Sequence, residues 1–429
     1  MPTPNNPPFA RAATPSAYHA QRTQLLSRGA IQAMFALLYL RILGALIDTL
    51  GYDVASKATT FLIVGFVFIA FLLMLRWPRE FSLWLLGWFV VIGACFVSMF
   101  ANDLLSNAQA WSFIVQMALY TCFLPVFFLM AQSEPRFVLR HADMFIKFFI
   151  VVGLLASLYQ IASGNVFVTQ TAAATERVYG TAGHPVSFSL QLTSAVVILE
   201  VVRQRLNKPL PWLFYGIALF TIVLTQSRTA WLVVALIGVF YGISRVGSTM
   251  KPIYLLILAV FAVAVVHFTG RFDDLSTLPQ FFENTDFEAD SYQYQYVNNS
   301  LEWRIANWAL SLNAALLKPL LGYGPGQTTS VSLFDLQMHN VMLEIFVQLG
   351  FIGLFGFCLM LFGHFPILRM ITSQGGIKRL TAVYLGVLLL AATFGTSMIY
   401  QTVTIIFYLM ALGLACAKPP PTTARHLPS

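Results

Sequence analysis

Apolar residues in this chain are grouped into long runs that short polar breaks separate. A helix needs roughly 17 to 25 mainly apolar residues to cross the hydrocarbon core of a bilayer. Twelve runs approach that length, so the pattern predicts an all-α, polytopic integral membrane protein with about 12 transmembrane helices. The runs cover residues 30–50, 58–75, 81–100, 111–131, 144–162, 186–202, 210–225, 229–246, 252–269, 338–363, 381–397 and 399–416.

Two of the polar breaks are very short. The first is TQSR, between the seventh and eighth runs, and the second is Ser397 to Tyr400, between the last two runs. Each break is compatible with a hairpin between two spans or with one long kinked helix.

Composition points to the same class. Of the 429 residues, 58% are hydrophobic and 10% are charged, which excludes a water-soluble domain of this length. The four cysteines lie in apolar runs without paired spacing, so we predict neither a disulfide framework nor a thiolate metal site. The first 28 residues are polar and proline-rich, which predicts a disordered tail before an uncleaved first span.

Positive residues predict the orientation, because Lys and Arg collect in cytoplasmic loops. With twelve spans and both termini cytoplasmic, the inner segments hold seventeen of the 25 Lys and Arg residues. The outer connections between spans three and four and between spans eleven and twelve hold none. This asymmetry accounts for the net charge of +8 without a nucleic-acid partner.

The longest connection lies on the outer side in this topology, and connections of such length are usually functional. The predicted segments are a cytoplasmic disordered tail at 1–28, spans one to nine at 29–269, the outer loop at 270–337, spans ten to twelve at 338–416 and a cytoplasmic tail at 417–429.

An amphipathic helix is predicted within the outer loop at about 299–317. Asn299 and Glu302 have the spacing of a capping box, and Lys318-Pro319 is a stop signal. The helix is expected to lie at the outer membrane surface with its polar face toward a site above the spans. One face holds Leu301, Ile305, Trp308 and Leu312, and the other holds Arg304, Asn307 and Ser311.

His339 is the first candidate for chemistry. It falls at the outer end of span ten, within the first helical turn, where the helix N-terminus would keep the imidazole neutral and able to accept a proton. The alternative is an interfacial histidine with one backbone hydrogen bond. Asn340 and Glu344 are supporting candidates, and a buried structural acid is the preferred interpretation of Glu344.

Two outer arginines stand in unusual positions. Arg228 lies at the mouth of span eight without a neighbouring carboxylate, and Arg304 lies on the polar face of the loop helix. An arginine fork binds phosphate oxygens at two points, so these residues beside a neutral histidine would suit a diphosphate leaving group. The alternative for each is an ordinary snorkelling or salt-bridged arginine.

The stretch ATERVYGTAGHP contributes Arg177, Tyr179 and His184 just before span six. It is compatible with a re-entrant turn that lines a cavity or with a plain helix start at a proline. A second glycine-rich turn, LLGYGPGQ, offers backbone amides that could approach a phosphate, although packing freedom before a helix explains it equally well.

Several motifs are absent from the chain. It has no Walker loop, no DxD or DxxD pair at a membrane mouth for a divalent metal and no histidine cluster at ligand spacing, so no metal is predicted. Energy must then come from an activated substrate or from a gradient.

With these motifs in this order, the chain resembles the bacterial O-antigen ligase family, whose superfamily also holds O-antigen polymerases and protein O-oligosaccharyltransferases. The motifs are GTAGHPVSFSL at 180–190, TQSRTAWL at 225–232, EWRIANWALSL at 302–312, LLGYGPG at 320–326 and MHNVMLEIFVQLGFIGL at 338–354.

The resemblance implies a GT-C-like glycosyltransferase of the bacterial inner membrane with a periplasmic active site. It would move O-antigen polysaccharide from undecaprenyl diphosphate to a sugar hydroxyl of lipid A-core, among membrane lipids, without metal or other cofactor. Arg228 and Arg304 would engage the diphosphate, and His339 would be the essential histidine. Arg177, Tyr179 and His184 would be further contacts of the donor sugar or the diphosphate.

Three other functions stay open. An O-antigen polymerase would use the same chemistry on another acceptor. A protein O-oligosaccharyltransferase is less favoured, because that branch usually carries an extra soluble C-terminal region. A flippase of lipid-linked sugars would instead carry charged residues through its spans.

Overall fold

A computed structural model describes most of the chain. It covers residues 28–48, 55–73, 77–168, 176–245, 277–284, 300–331, 337–373, 379–394 and 398–417, with isolated helical positions between 252 and 263. The helices are α1 (Arg28–Asp48), α2 (Ala55–Leu72), α3 (Ser82–Ala101), α4 (Ala108–Ser133), α5 (Pro135–Ser163), α6 (Pro185–Leu206), α7 (Trp212–Leu224), α8 (Arg228–Arg245), α9 (Leu278–Asn284), α10 (Ser300–Leu317), α11 (Val341–Ser373), α12 (Arg379–Phe394) and α13 (Thr402–Cys416).

The remaining regular structure in these ranges is short. Strands β1 (Phe167–Val168) and β2 (Glu176–Arg177) form one antiparallel pair, and two single 3₁₀ turns lie at Arg79–Phe81 and Met398–Tyr400. The predicted helical class is confirmed by this set of elements.

Six of the described helices are long and apolar enough to cross a membrane, consistent with a polytopic membrane protein. The count of twelve spans, their orientation and the segment boundaries stay predictions. Most of the run at 252–269, the two predicted tails and most of the acidic part of the loop lie outside the described residues.

Both short breaks separate distinct helices. At the first, α7 ends at Leu224, Gln226 takes a left-handed backbone with φ of 47°, and α8 begins at Arg228. The Ser227 hydroxyl accepts the amide hydrogen of Ala230 at 3.4 Å and so caps α8. At the second, α12 ends at residue 394 and α13 begins at residue 402.

Helices α3 and α11 approach so closely that only glycine fits between them. A Cβ atom on Gly87 would lie 2.3 Å from the backbone nitrogen of Met360, and one on Gly363 would lie 2.4 Å from that of Trp84. Small residues at helix interfaces allow this approach in membrane proteins. The pair anchors α11, whose start carries the candidate histidine.

Helix α11 is interrupted at Gly350, which has φ of 63° and ψ of −160°. The preceding glycine-rich turn docks against this interruption. Tyr323 donates its amide hydrogen to the Val347 carbonyl and Gly324 donates to the Gln348 carbonyl, both at 2.9 Å. Gly322 donates its amide hydrogen to the Lys318 carbonyl at 2.9 Å, and Gly326 donates to Gln348 Oε1 at 2.6 Å. The amides of all three glycines in the turn are therefore engaged within the protein, and the hypothesis that they bind phosphate is wrong.

Helix α10 packs against the start of α11. Ala315 of α10 lies in one apolar cluster with Met338 and Val347. The polar side chains Asn307 and Ser311 are fully buried, whereas Leu312 is 45% exposed. The polar face of α10 is thus turned into the protein, beside residues 338–347. Asn299, predicted to cap this helix, lies outside the described residues.

Candidate functional site

His339 sits directly before α11. The helix begins at Val341, and Asn340 caps it, since its Oδ1 accepts the amide hydrogen of Leu343 at 3.2 Å. The prediction that His339 lies within the first helical turn is therefore wrong by two residues. His339 has φ of 56°, a left-handed conformation that a residue with a bulky side chain adopts only when its surroundings hold it there.

The peptide groups on either side of Met338 supply that restraint. Glu344 Oε1 accepts the Met338 amide hydrogen at 3.1 Å, and Trp308 Nε1 donates to the Met338 carbonyl at 2.7 Å. Glu344 is fully buried. Both polar groups of the preceding residue are thereby held, which fixes the direction in which His339 projects. Asn340 and Glu344 therefore bind backbone amides on either side of His339, at Leu343 and Met338.

Four of the predicted residues meet around this point. The His184 and His339 rings lie 5.8 Å apart between centroids. Arg304 lies close enough to lower the pKa of both histidines, and Arg177 lowers the pKa of His184 and of Arg304. We call Arg177, His184, Arg304 and His339 the basic cluster.

Burial is the main cause of the altered pKa values in the basic cluster. It lowers the pKa of His339 to about 3, with further contributions from the charge of Arg304 and from His184. It lowers the pKa of His184 to about 4, helped by Arg177 and Arg304. Both rings are therefore neutral at ordinary pH. Burial and the neighbouring Arg304 thus favour the neutral form of His339 that the sequence predicts.

His184 also begins a helix. Its Nδ1 accepts the amide hydrogen of Val186 at 3.3 Å, and Pro185 occupies the first position of α6. Since Nδ1 accepts, the proton of the neutral ring resides on Nε2, which is a donor. The stretch forms a helix start, which places a neutral donor beside His339, and the turn before it at Thr181 also lines a cavity.

Gln160 holds the turn that leads to His184, and sequence reasoning missed it. Its Oε1 accepts the amide hydrogens of Tyr179 and Gly180, both at 3.0 Å, and its Nε2 donates to the Gly180 carbonyl at 2.9 Å. The Tyr179 hydroxyl donates to Asn165 at 3.2 Å. Tyr179 is therefore part of the loop structure. The signal in the sequence was a glutamine within the apolar run at 144–162. In the structure this glutamine is fully buried.

Trp303 is a second residue that sequence reasoning did not single out. Its ring meets the His339 ring edge-on at 5.6 Å between centroids. It precedes Arg304 on α10, so one helical turn supplies both an aromatic wall and a positive charge to the site.

Arg228 begins α8, and its side chain lies outside the described part of the chain, so its predicted role stays a prediction. Within the described residues, no three His, Cys, Asp or Glu side chains come together in a way that would hold a metal ion. The arrangement that is described is a half-buried basic cluster with two neutral imidazoles, a type of arrangement that is suited to binding an anion and accepting a proton.

Fold and site together define a helical membrane protein with a half-buried basic cluster near the start of one long helix. The model of the family described as O-antigen ligase matches residues 213–358. The matched region contains α10 and the first half of α11. The resemblance stated from the sequence is confirmed for this segment, which is similar to the O-antigen ligase family.

A curated relative belongs to the same superfamily. It is the General O-oligosaccharyltransferase of Acinetobacter baylyi, which is 26% identical over 243 residues. The aligned segment covers 53% of this chain and 41% of the relative, so the chain matches about two fifths of that protein's length.

Proposed function

We propose that this protein is an inverting glycosyltransferase that moves an O-antigen polysaccharide from undecaprenyl diphosphate to a sugar hydroxyl of lipid A-core. The observation that carries the proposal is the meeting of Arg177, His184, Arg304 and His339 in one half-buried cluster. The site would face the periplasm from the bacterial inner membrane, with both termini in the cytoplasm.

The arginines are proposed to hold the donor diphosphate. The charge of Arg177 lowers the pKa of the buried Arg304, so the two guanidinium groups repel each other and an anion between them would relieve that repulsion. A diphosphate offers several oxygens to such forks and becomes a better leaving group as its charge is matched. Preorganised positive charge would supply the stabilisation that a metal ion gives in other phosphate chemistry, and we propose a metal-independent reaction.

His339 is proposed as the general base. The imidazole takes the proton from the acceptor hydroxyl as that oxygen forms a bond to the anomeric carbon. The bond from the anomeric carbon to the diphosphate oxygen breaks on the opposite side, and undecaprenyl diphosphate leaves with the electron pair. The proton then passes from the imidazolium to solvent.

Donor binding would also activate the base. In the protein alone, burial and Arg304 hold the pKa of His339 at about 3, which makes the ring neutral but weakly basic. A bound diphosphate adds negative charge beside Arg304, so the pKa of His339 rises in the complex. The His339 ring would become more basic only when the donor is bound, so it would accept a proton mainly in the complex that can react.

Transfer of an oligosaccharide to a protein is the second candidate. It is favoured by the curated relative, whose name describes an O-oligosaccharyltransferase. The same donor chemistry would then act on a serine or threonine hydroxyl. An O-antigen polymerase would differ again only in its acceptor, a second lipid-linked saccharide.

A reconstitution experiment tests the proposal. Purified protein is given lipid-linked O-antigen and lipid A-core in EDTA, and capped lipopolysaccharide is the expected product. His339→Ala should abolish transfer, while His141→Ala, a histidine that bonds to the Phe137 carbonyl within α5, should leave it intact. Dependence on added metal would overturn the metal-free mechanism.

The phenotype of a strain that lacks the protein identifies the acceptor. A strain without the protein should still make long chains on the lipid carrier but attach none to lipid A-core. Loss of chain elongation would select the polymerase, and loss of protein glycosylation alone would select the protein-directed transferase.

A further inference from the structure

A second polar space lies between five helices, next to the basic cluster. It is a cavity of about 420 Å³, within the roughly 300 to 1,000 Å³ of small-molecule sites. Helices α1, α2, α4 and α6 and the start of α13 surround it. Its polar lining includes Arg41, Lys57, Gln116, Thr181, Ser187 and Gln191.

The lining carries buried polar atoms that have no hydrogen-bond partner among the described residues. They are Gln116 Oε1, Thr181 Oγ1, Ser187 Oγ, Gln191 Oε1 and Arg41 Nη1. Ser187 is 1% exposed and Gln191 is 3% exposed. Buried polar groups are nearly always paired, because an unpaired buried donor or acceptor is costly. Several of them around one cavity would suit a ligand that offers several hydrogen-bonding groups, such as the hydroxyls of a sugar.

These side chains are held in place by their other atoms. Gln191 Nε2 donates to Thr404 Oγ1 at 3.1 Å, which leaves Oε1 available to a ligand. Arg41 Nε donates to Thr60 Oγ1 at 2.9 Å, which leaves Nη1. The Gln191 and Arg41 side chains are therefore oriented before any ligand binds, as in preorganised binding sites.

The charge of the cavity is positive. Arg41 and Lys57 line it, and none of the described residues in its lining is acidic. Asp48, at the end of the same helix, attracts Arg41 but does not line the space. The ligand is therefore expected to carry a negative group as well as hydroxyls.

The cavity leads toward the basic cluster. It reaches Thr181, three residues before His184. A smaller cavity of about 200 Å³ shares Gln116 and Tyr400 with it and reaches Gln337, two residues before His339. The linings of the two cavities thus include residues that lie two and three positions from the histidines in the sequence.

We infer that this cavity binds an acidic sugar, phosphorylated or carboxylated, of the acceptor glycolipid. The inference rests on the proposed function. The anionic group of the donor, its diphosphate, is already matched by Arg177 and Arg304, so the acidic group at Arg41 belongs to the other substrate. The amide oxygens of Gln116 and Gln191 accept hydrogens from sugar hydroxyls, and Arg41 Nη1 donates to the acidic group.

The test compares two acceptors with the full-length protein in nanodiscs. One is lipid A-core with its phosphates, and the other is the same glycolipid after phosphatase treatment. Native protein should show a KM for the phosphorylated acceptor about tenfold lower, as expected for one charge-assisted hydrogen bond. Arg41→Gln should lose that preference, while kcat and the KM for the donor stay unchanged. Arg28→Gln, at the other end of the same helix and paired with Glu134, is the matched control.

Two results would overturn the inference. The first is that native protein prefers the phosphorylated acceptor and Arg41→Gln keeps that preference. The second is that native protein has equal KM values for both acceptors and Gln116→Leu leaves the acceptor KM unchanged. Gln116→Leu also keeps the inference testable if Arg41→Gln does not fold. Absence of any transfer by the native protein would instead contradict the proposed function, so the two failures are distinguishable.

Discussion

The side chain of Glu344 binds the backbone of Met338, the residue before His339: Glu344 Oε1 accepts the Met338 amide hydrogen at 3.1 Å. The bond crosses the start of α11 and fixes the peptide from which His339 projects. A carboxylate in this place restrains the geometry of the chain, because its Oε1 atom binds a backbone amide.

Glu344→Leu removes that acceptor, whereas Glu344→Gln keeps a side-chain oxygen of nearly the same reach. We expect Glu344→Leu to lower kcat by roughly 100-fold, the effect of a misplacement of about 1 Å, and Glu344→Gln to retain most activity. Transfer rates of the two purified variants at saturating substrates decide this. Equal loss in both variants would mean that the negative charge itself is needed.

The charge of Arg304 depresses the pKa of His339, so its removal should raise that pKa. In Arg304→Gln we expect the value to move upward from about 3 but to stay below that of a solvated histidine, because burial remains its largest cause. Carbon-13 NMR titration of labelled histidine, assigned with His339→Gln, measures it. Arg28→Gln is the control, and an unchanged titration in Arg304→Gln would contradict the proximity of the two groups.

The pH profile of the reaction should differ between kcat/KM and kcat. With the pKa of His339 at about 3 in the free protein, the base is already neutral above that pH, so kcat/KM for the donor should show no acid limb from this group between about pH 5 and 8. The bound diphosphate raises the pKa, so kcat should fall on the acid side at a higher pH. One acid limb shared by both profiles would contradict activation by the donor.

Gln160 binds three backbone groups of the turn before His184. Gln160→Leu leaves these groups buried and unpaired, at about 1–3 kcal/mol each. We expect a lower melting temperature and a higher KM for the donor. Thermal unfolding in detergent and donor titration measure the two effects. Gln204→Leu, which removes a side chain bonded to Glu200 at the other end of α6, should leave the donor KM unchanged.

The approximate positions of the long described helices could be predicted, because each contains a long apolar run. The residues at which these helices begin and end could not be predicted. Helix α5 begins at Pro135, nine residues before the predicted run, since its polar first half is held by pairs such as Lys147–Asp143 at 2.9 Å and Lys208–Asp143 at 2.8 Å. The second of these pairs joins residues that are distant in the sequence, so a scan for apolar runs does not detect it.

The candidate site was predictable in its residue types but not in its geometry. His339, Arg304, Arg177 and His184 stand out as rare polar residues in an apolar chain. The restraint on His339 depends on Trp308, which lies 30 residues away from Met338 along the sequence. Contacts of this kind arise only when α10 packs on α11, so sequence spacing alone does not reveal them.

Gly350 gives the final prediction, because the docking of the glycine-rich turn depends on it. Its φ of 63° and ψ of −160° lie in a region that is open essentially to glycine alone, and a Cβ atom there would lie 2.2 Å from the carbonyl carbon of Leu320. Gly350→Ala should therefore destabilise the protein by a few kcal/mol and reduce the yield of monodisperse protein. Gly216→Ala is the control, since a Cβ atom at that position would meet no atom of the described residues within 4 Å and alanine favours a helix. Thermal unfolding followed by size-exclusion chromatography compares them. A Gly350→Ala protein as stable as Gly216→Ala would mean that the interruption of α11 is not required for the fold.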